Sequence, residues 1–185
     1  MNKRTLFILA LLLLMLSLAI SCRSSSETAS QGLAKITPSE TIYTLDDLKA
    51  IAFKKDKTFD VEGLTAATHT YYGFWGLDPY DRKEFEVRFY ESHADAVEFG
   101  VVFADERTGP DAVIKTGETM WEEGSKEARS CARTSSNSNC HLSKYGDYVI
   151  YGNMILICQG RDSGTSLDEC GELLNSLVPE TGASE

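Results

Sequence analysis

The chain is short of positive charge: 18 Lys and Arg stand against 28 Asp and Glu, a formal net charge of −10 over 185 residues. A surface of that sign is repelled by phosphate, so nucleic-acid binding and docking through anionic lipid are disfavoured, whereas basic partners are attracted. The acids, among them Asp46, Asp47, Glu84, Glu86 and Glu122, are scattered and read as solvated faces. Histidine is scarcer still, with only His69, His93 and His141. None has an identifiable partner for catalysis. Ser92, His93 and Asp95 contain the residue types of a triad, but neighbours on one helix point about 100° apart and cannot converge. Adjacent Cys140 and His141 are poorly placed to turn to one metal ion with Cys131, and no C-x-x-C pair or calcium loop of the Asp-x-Asp-x-Asp-Gly type is present. Repeats of fixed period are also missing. The expectation is a protein without cofactor, metal centre or catalytic site.

Long apolar runs are confined to one place. Lys3 and Arg4 precede a stretch from Leu6 to Ile20 whose most polar residue is Ser17. A charged start and about 15 apolar residues suit a signal sequence and fall short of the about 20 of a membrane span. The stretch ends in Ala19-Ile20-Ser21-Cys22, with small residues where cleavage needs them. This resembles the lipobox of bacterial lipoproteins, with Ala in place of the commoner Leu three residues before the cysteine. The resemblance covers residues 1–22 alone and implies removal of 1–21 and acylation of Cys22, palmitate included. Two or three acyl chains, each contributing about 0.8 kcal/mol per buried methylene, would hold the chain at a cell or outer membrane. The folded part would then be extracytoplasmic. Cleavage removes Lys3 and Arg4 and no acid, taking the formal charge from −10 to −12.

Residues 22–40 are rich in Ser, Thr and small polar residues and read as a flexible tether with a reach of roughly 20–25 Å. Residues 41–178 are one domain's worth of chain, and 179–185 read as a disordered tail. The domain holds Cys131, Cys140, Cys158 and Cys170. An even number in an exported chain implies two disulfides, and among three connectivities Cys131–Cys140 and Cys158–Cys170 are favoured. Each would close a short loop and contribute about 2–4 kcal/mol.

Thr44 and Asp47 form a capping box that predicts a helix over 45–54. Residues 67–75 and 84–90 read as paired strands. Ser92 with Asp95 opens a second helix that Gly109-Pro110 stops, and 106–146 reads as a long irregular stretch. A hairpin follows, Tyr148–Tyr151 and Met154–Cys158 around the turn Gly152-Asn153, then a helix capped by Ser166 and Glu169. Because Met154 to Ile157 is apolar on both sides, that strand needs a central position or a second cover. The sum is an α+β fold: a single two-layer, disulfide-stapled domain with an antiparallel sheet of about four strands and helices mainly on one face.

One surface candidate emerges. Tyr71, Tyr72, Phe74, Trp75 and Tyr80 are interleaved with Gly73 and Gly76, and flat aromatics of this kind stack on sugars, peptides or apolar ligands. Strand alternation puts Tyr71 and Trp75 on one face and Tyr72 and Phe74 on the other. The functional expectation is a lipid-anchored, non-catalytic envelope protein that binds a protein or another envelope component. The alternative is a small-ligand sensor using the aromatic patch.

Overall fold

A computed structural model describes residues 33–134 and 137–178, apart from the side chains of 131–141. The elements run β1 (Ile36–Thr37), α1 (Leu45–Ala50), β2 (Lys54–Phe59), β3 (Ala67–Trp75) and β4 (Lys83–Tyr90). A helical segment follows, opening as α2 (His93–Asp95), widening through a π-helical turn (Ala96–Gly100) and continuing as α3 (Val101–Arg107). After a 3-10 turn at Glu122–Ser125 come β5 (Arg129–Thr134), β6 (Asn137–Ser143), β7 (Tyr145–Tyr151), β8 (Met154–Gln159) and α4 (Ser163–Leu177). The α+β class holds. The sheet, however, has six strands in the order β1-β7-β8-β4-β3-β2, and it is mixed because β1 runs parallel to β7. β5 and β6 form a separate two-stranded sheet.

The four-stranded antiparallel expectation fails at the edges, where burial leaves little pattern. In β2, Lys54 to Thr58 are all exposed and only Phe59 is buried, so the strand shows no alternation. Lysines along an outer strand are a usual device against edge-to-edge pairing. β1 falls inside the stretch read as tether. Its backbone is tied down by Ile150 N–H donating to Lys35 O at 2.8 Å, and Leu33 packs against the core.

The centre follows the sequence pattern. Met154 to Cys158 are fully buried, and β8 lies between β7 and β4 as a strand apolar on both sides must. On one face Val87, Phe89, Leu156 and Cys158 pack under α1 and α4, with Leu48, Leu173 and Leu174 as the helical partners. On the other, Tyr148, Ile150, Ile155 and Ile157 meet Ala96 and Ala104 of the second helical segment. Helices therefore cover both faces, which corrects the two-layer expectation. Each hairpin is followed by its helix, and the two helices take opposite sides. Burying one such Ile or Leu contributes about 1.5–3 kcal/mol, so the doubly covered β8 anchors the fold.

Cys158, next to last in β8, bonds Cys170 of α4, as expected; their Cα atoms are 5.7 Å apart. The expected Cys131–Cys140 pair, Cys22 with its signal sequence, and the 179–185 tail lie outside the described residues or side chains. α4 starts earlier than its Ser166–Glu169 signature suggests. Asp162 is the true cap, its Oδ1 accepting from Thr165 N–H at 2.8 Å. Ser166 turns inward instead, donating to Cys158 O at 2.9 Å and accepting from Gly146 N–H at 2.9 Å.

Candidate functional site

One end of the sheet gathers the start of β3, the finish of β4 and the β7–β8 turn. Gly152 makes that turn possible, with φ +54° and room for no side chain, since a Cβ would lie 2.6 Å from Thr41 O. Asn153, 2% exposed, then fastens the passing chain. Its Oδ1 accepts from Tyr43 N–H at 2.7 Å, and its Nδ2 donates to Tyr43 O at 3.2 Å and Tyr90 O at 2.9 Å. His93 adds a hydrogen bond from its ring to Gly152 O at 2.8 Å. The 41–44 segment is thereby held beside β3 and β4, and Thr44 begins α1 with its N–H donating to Asp47 at 2.8 Å. The hydroxyl and N–H of Thr44 keep the Asp47 carboxyl below the usual range.

Between that segment and the sheet lies an open cleft of about 420 Å³. Its floor is aromatic. His69 and Tyr71 stack with ring centroids 6.0 Å apart and planes 14° apart, and Phe89 meets Tyr71 edge-on at 6.1 Å. Tyr43 forms a wall against Tyr151 at 5.7 Å; burial first, and then Tyr151, raises its phenol above the ordinary range and keeps it protonated. Ile42 stands at the mouth, 56% exposed. Asp46 and Glu91 supply carboxylates at the rim, both exposed. Aromatic faces with acids beside them suit a group that is both apolar and cationic.

The predicted aromatic patch is divided. Tyr71 alone among its five residues lines this cleft. Trp75 shares its face but is 3% exposed, its indole donating to Ile51 O at 2.8 Å. Tyr72 and Phe74 lie on the opposite face with ring centroids 5.3 Å apart, and Tyr80 is 98% exposed on the β3–β4 connection. The cleft residues Ile42, Tyr43, His69 and Phe89 come from three separate segments, which no single stretch of sequence advertises. The one available clue was an Asn beside the turn glycine.

The opposite face hides a charged cluster. Glu86, expected in solvent, is fully buried and gripped by two arginines. Arg88 Nη2 approaches it at 2.6 Å, and Arg107 donates from Nε at 3.1 Å and Nη2 at 2.7 Å. Arg107 also donates to Lys126 O at 2.7 Å, and the two guanidiniums lie 5.2 Å from the rings of Trp121 and Tyr145. Burial alone would raise the Glu86 pKa, but the facing arginines outweigh it and hold the carboxyl below its ordinary value. The cluster joins β4, α3 and the 110–128 cover. Nearby, Glu84 is likewise engaged, accepting from the Tyr72 hydroxyl at 2.5 Å and from Lys144.

The fold thus defines an α+β domain whose mixed sheet is covered on both faces and whose exposed cleft sits at one sheet end. Residues 44–179 match the family of unknown function DUF6810, and the chain belongs to that family. No curated protein and no solved structure matches the chain.

Proposed function

We propose that this chain is a lipid-anchored, non-catalytic envelope protein that uses the cleft at the hairpin end to hold a segment of another envelope protein. The observation that carries the reading is the pairing of a stacked aromatic floor, His69 and Tyr71, with the rim acids Asp46 and Glu91. The preferred occupant is a strand or loop presenting a basic side chain beside an apolar one. The mature formal charge of −12, which leaves out Lys3 and Arg4, favours such a partner at longer range. Acyl chains on Cys22 would hold the domain at a membrane surface. β1 pairs with Ile150 and Tyr151 and runs on toward the Gly152 turn, which brings residues 41–44 to the cleft.

Site-specific photocrosslinking in the native envelope tests this. A benzophenone side chain at position 69 should capture one reproducible envelope protein, and one at Lys57 on the outer strand should not. Equal, diffuse labelling from both positions would contradict the proposal. A second reading, a small-ligand sensor, is favoured by the cleft's volume of about 420 Å³, which lies in the range of small-molecule sites. It predicts a thermal shift with a soluble cationic ligand and no protein adduct from position 69.

A further inference from the structure

Glu86 does not account for both of its arginines. Arg88 and Arg107, 1% and 3% exposed, present the same edge to it. Arg88 Nε and Nη2 lie 2.7 and 2.6 Å from Oε1, and Arg107 Nε and Nη2 lie 3.1 and 2.7 Å from Oε2. The remaining nitrogen, Nη1, is buried on both and has no hydrogen-bond partner among the described residues. One carboxylate against two guanidiniums also leaves one positive charge inside the fold. A buried charge without its counter-charge is strongly destabilising.

The neighbouring acids do not supply the missing charge. Glu106 turns both carboxylate oxygens to Met120 N–H, at 2.9 and 3.2 Å, and makes no ion pair with either arginine. Glu84 is held by Lys144, Glu127 by Lys57 and Glu123 by Lys126. The rings of Trp121 and Tyr145, each 5.2 Å from a guanidinium carbon, offer only the partial negative charge of an aromatic face. Arg88 and Arg107 line a small cavity of about 10 Å³ together with Glu106, Thr119, Trp121 and Gly124. That volume admits one particle of about the size of a water molecule. Thr119 Oγ1 is itself buried without a partner, so three residues lining this space each keep an unmatched polar atom.

We infer that this cavity binds one small monovalent anion, chloride, held by Arg88 and Arg107 with the Thr119 hydroxyl. A water molecule fills the same space and accepts the same hydrogen bonds, but only an anion also balances the charge. The anion joins β4, α3 and the 110–128 cover at one point, since these supply Arg88, Arg107 and Thr119 in turn. It therefore fastens the cover to the sheet. The molecule's net negative charge opposes uptake only at long range, where salt screens it.

The test compares thermal unfolding of the full chain in sodium gluconate and in sodium chloride or bromide at one ionic strength. The halides should raise the melting temperature as their concentration rises, as a ligand of the folded state alone does. Amide exchange over 119–124 should slow several-fold in chloride. Thr119→Val, which keeps the side chain's shape and both arginines, should fold and lose most of the halide response. Crystals grown in bromide should show its anomalous signal between Arg88 and Arg107. Equal melting temperatures in gluconate and halide, or a response unchanged in Thr119→Val, overturn the inference. A water molecule in the cavity with bromide confined to the surface does the same.

Discussion

Asn153 and Glu86 do opposite jobs with the same means, a buried polar group with its partners in place. Asn153 closes three hydrogen bonds to the Tyr43 and Tyr90 backbones, so its loss strands a donor and two acceptors next to the cleft. Asn153→Ala should cost about 2–4 kcal/mol in urea denaturation and loosen the 41–44 wall. Glu86 is the sole carboxylate bonded to Arg88 and Arg107 among the described residues. Glu86→Gln should cost about 3–5 kcal/mol, because two buried guanidiniums then lose their counter-charge, whereas an apolar replacement of all three residues together should cost far less. The pH dependence follows from the sign of the shift. With the folded pKa of Glu86 below its ordinary 4.5, its contribution is complete above 4.5 and is lost as pH falls through the lower, folded value. Wild type should therefore lose stability on acidification below 4.5, and Glu86→Gln should lack that part of the slope.

At the scale of elements, the disulfide between β8 and α4 adds the longest-lived tie. Replacing Cys158 and Cys170 together by Ala should lower stability by about 3 kcal/mol, measured under oxidising conditions against wild type. Reduction of the wild type should approach the same value. What was legible in the sequence divides by burial. β3, β4, β7 and β8 carry apolar residues at strand period or in continuous runs, and α1 and the second helical segment carry caps, so their burial wrote a pattern. β2 did not, since five of its six residues face water. The β5–β6 pair is mostly Arg, Ser, Thr and Asn, with no sustained apolar alternation, and it lies in a stretch that reads as irregular. α4 shows a further limit. Two cap signatures stand in tandem, and the upstream one prevails because Ser166 is needed as a pin between Cys158 and Gly146. The aromatic patch failed as a unit for a related reason: strand alternation splits Tyr71 from Tyr72, and the cleft is completed by residues such as Tyr43 that only the Asn153 contacts bring in.

For the whole molecule, the proposed binding surface is the cleft at the hairpin end, with Asp46 and Glu91 at its rim. The acidic rim predicts that crosslinking from position 69 weakens as salt rises, because the Debye length falls from about 10 Å at 0.1 M to about 3 Å at 1 M. Insensitivity to salt would point to the aromatic floor as the whole of the recognition. The proposed partner, however, depends on residence at a membrane surface outside the cytoplasm. The most direct measurement is the intact mass of the protein extracted from the membrane fraction, before and after reduction and alkylation. The account predicts a chain beginning at Cys22 with acyl chains attached, and four alkylated thiols appearing only after reduction. A mass that retains Met1 or lacks acyl chains, or thiols that alkylate before reduction, would contradict it.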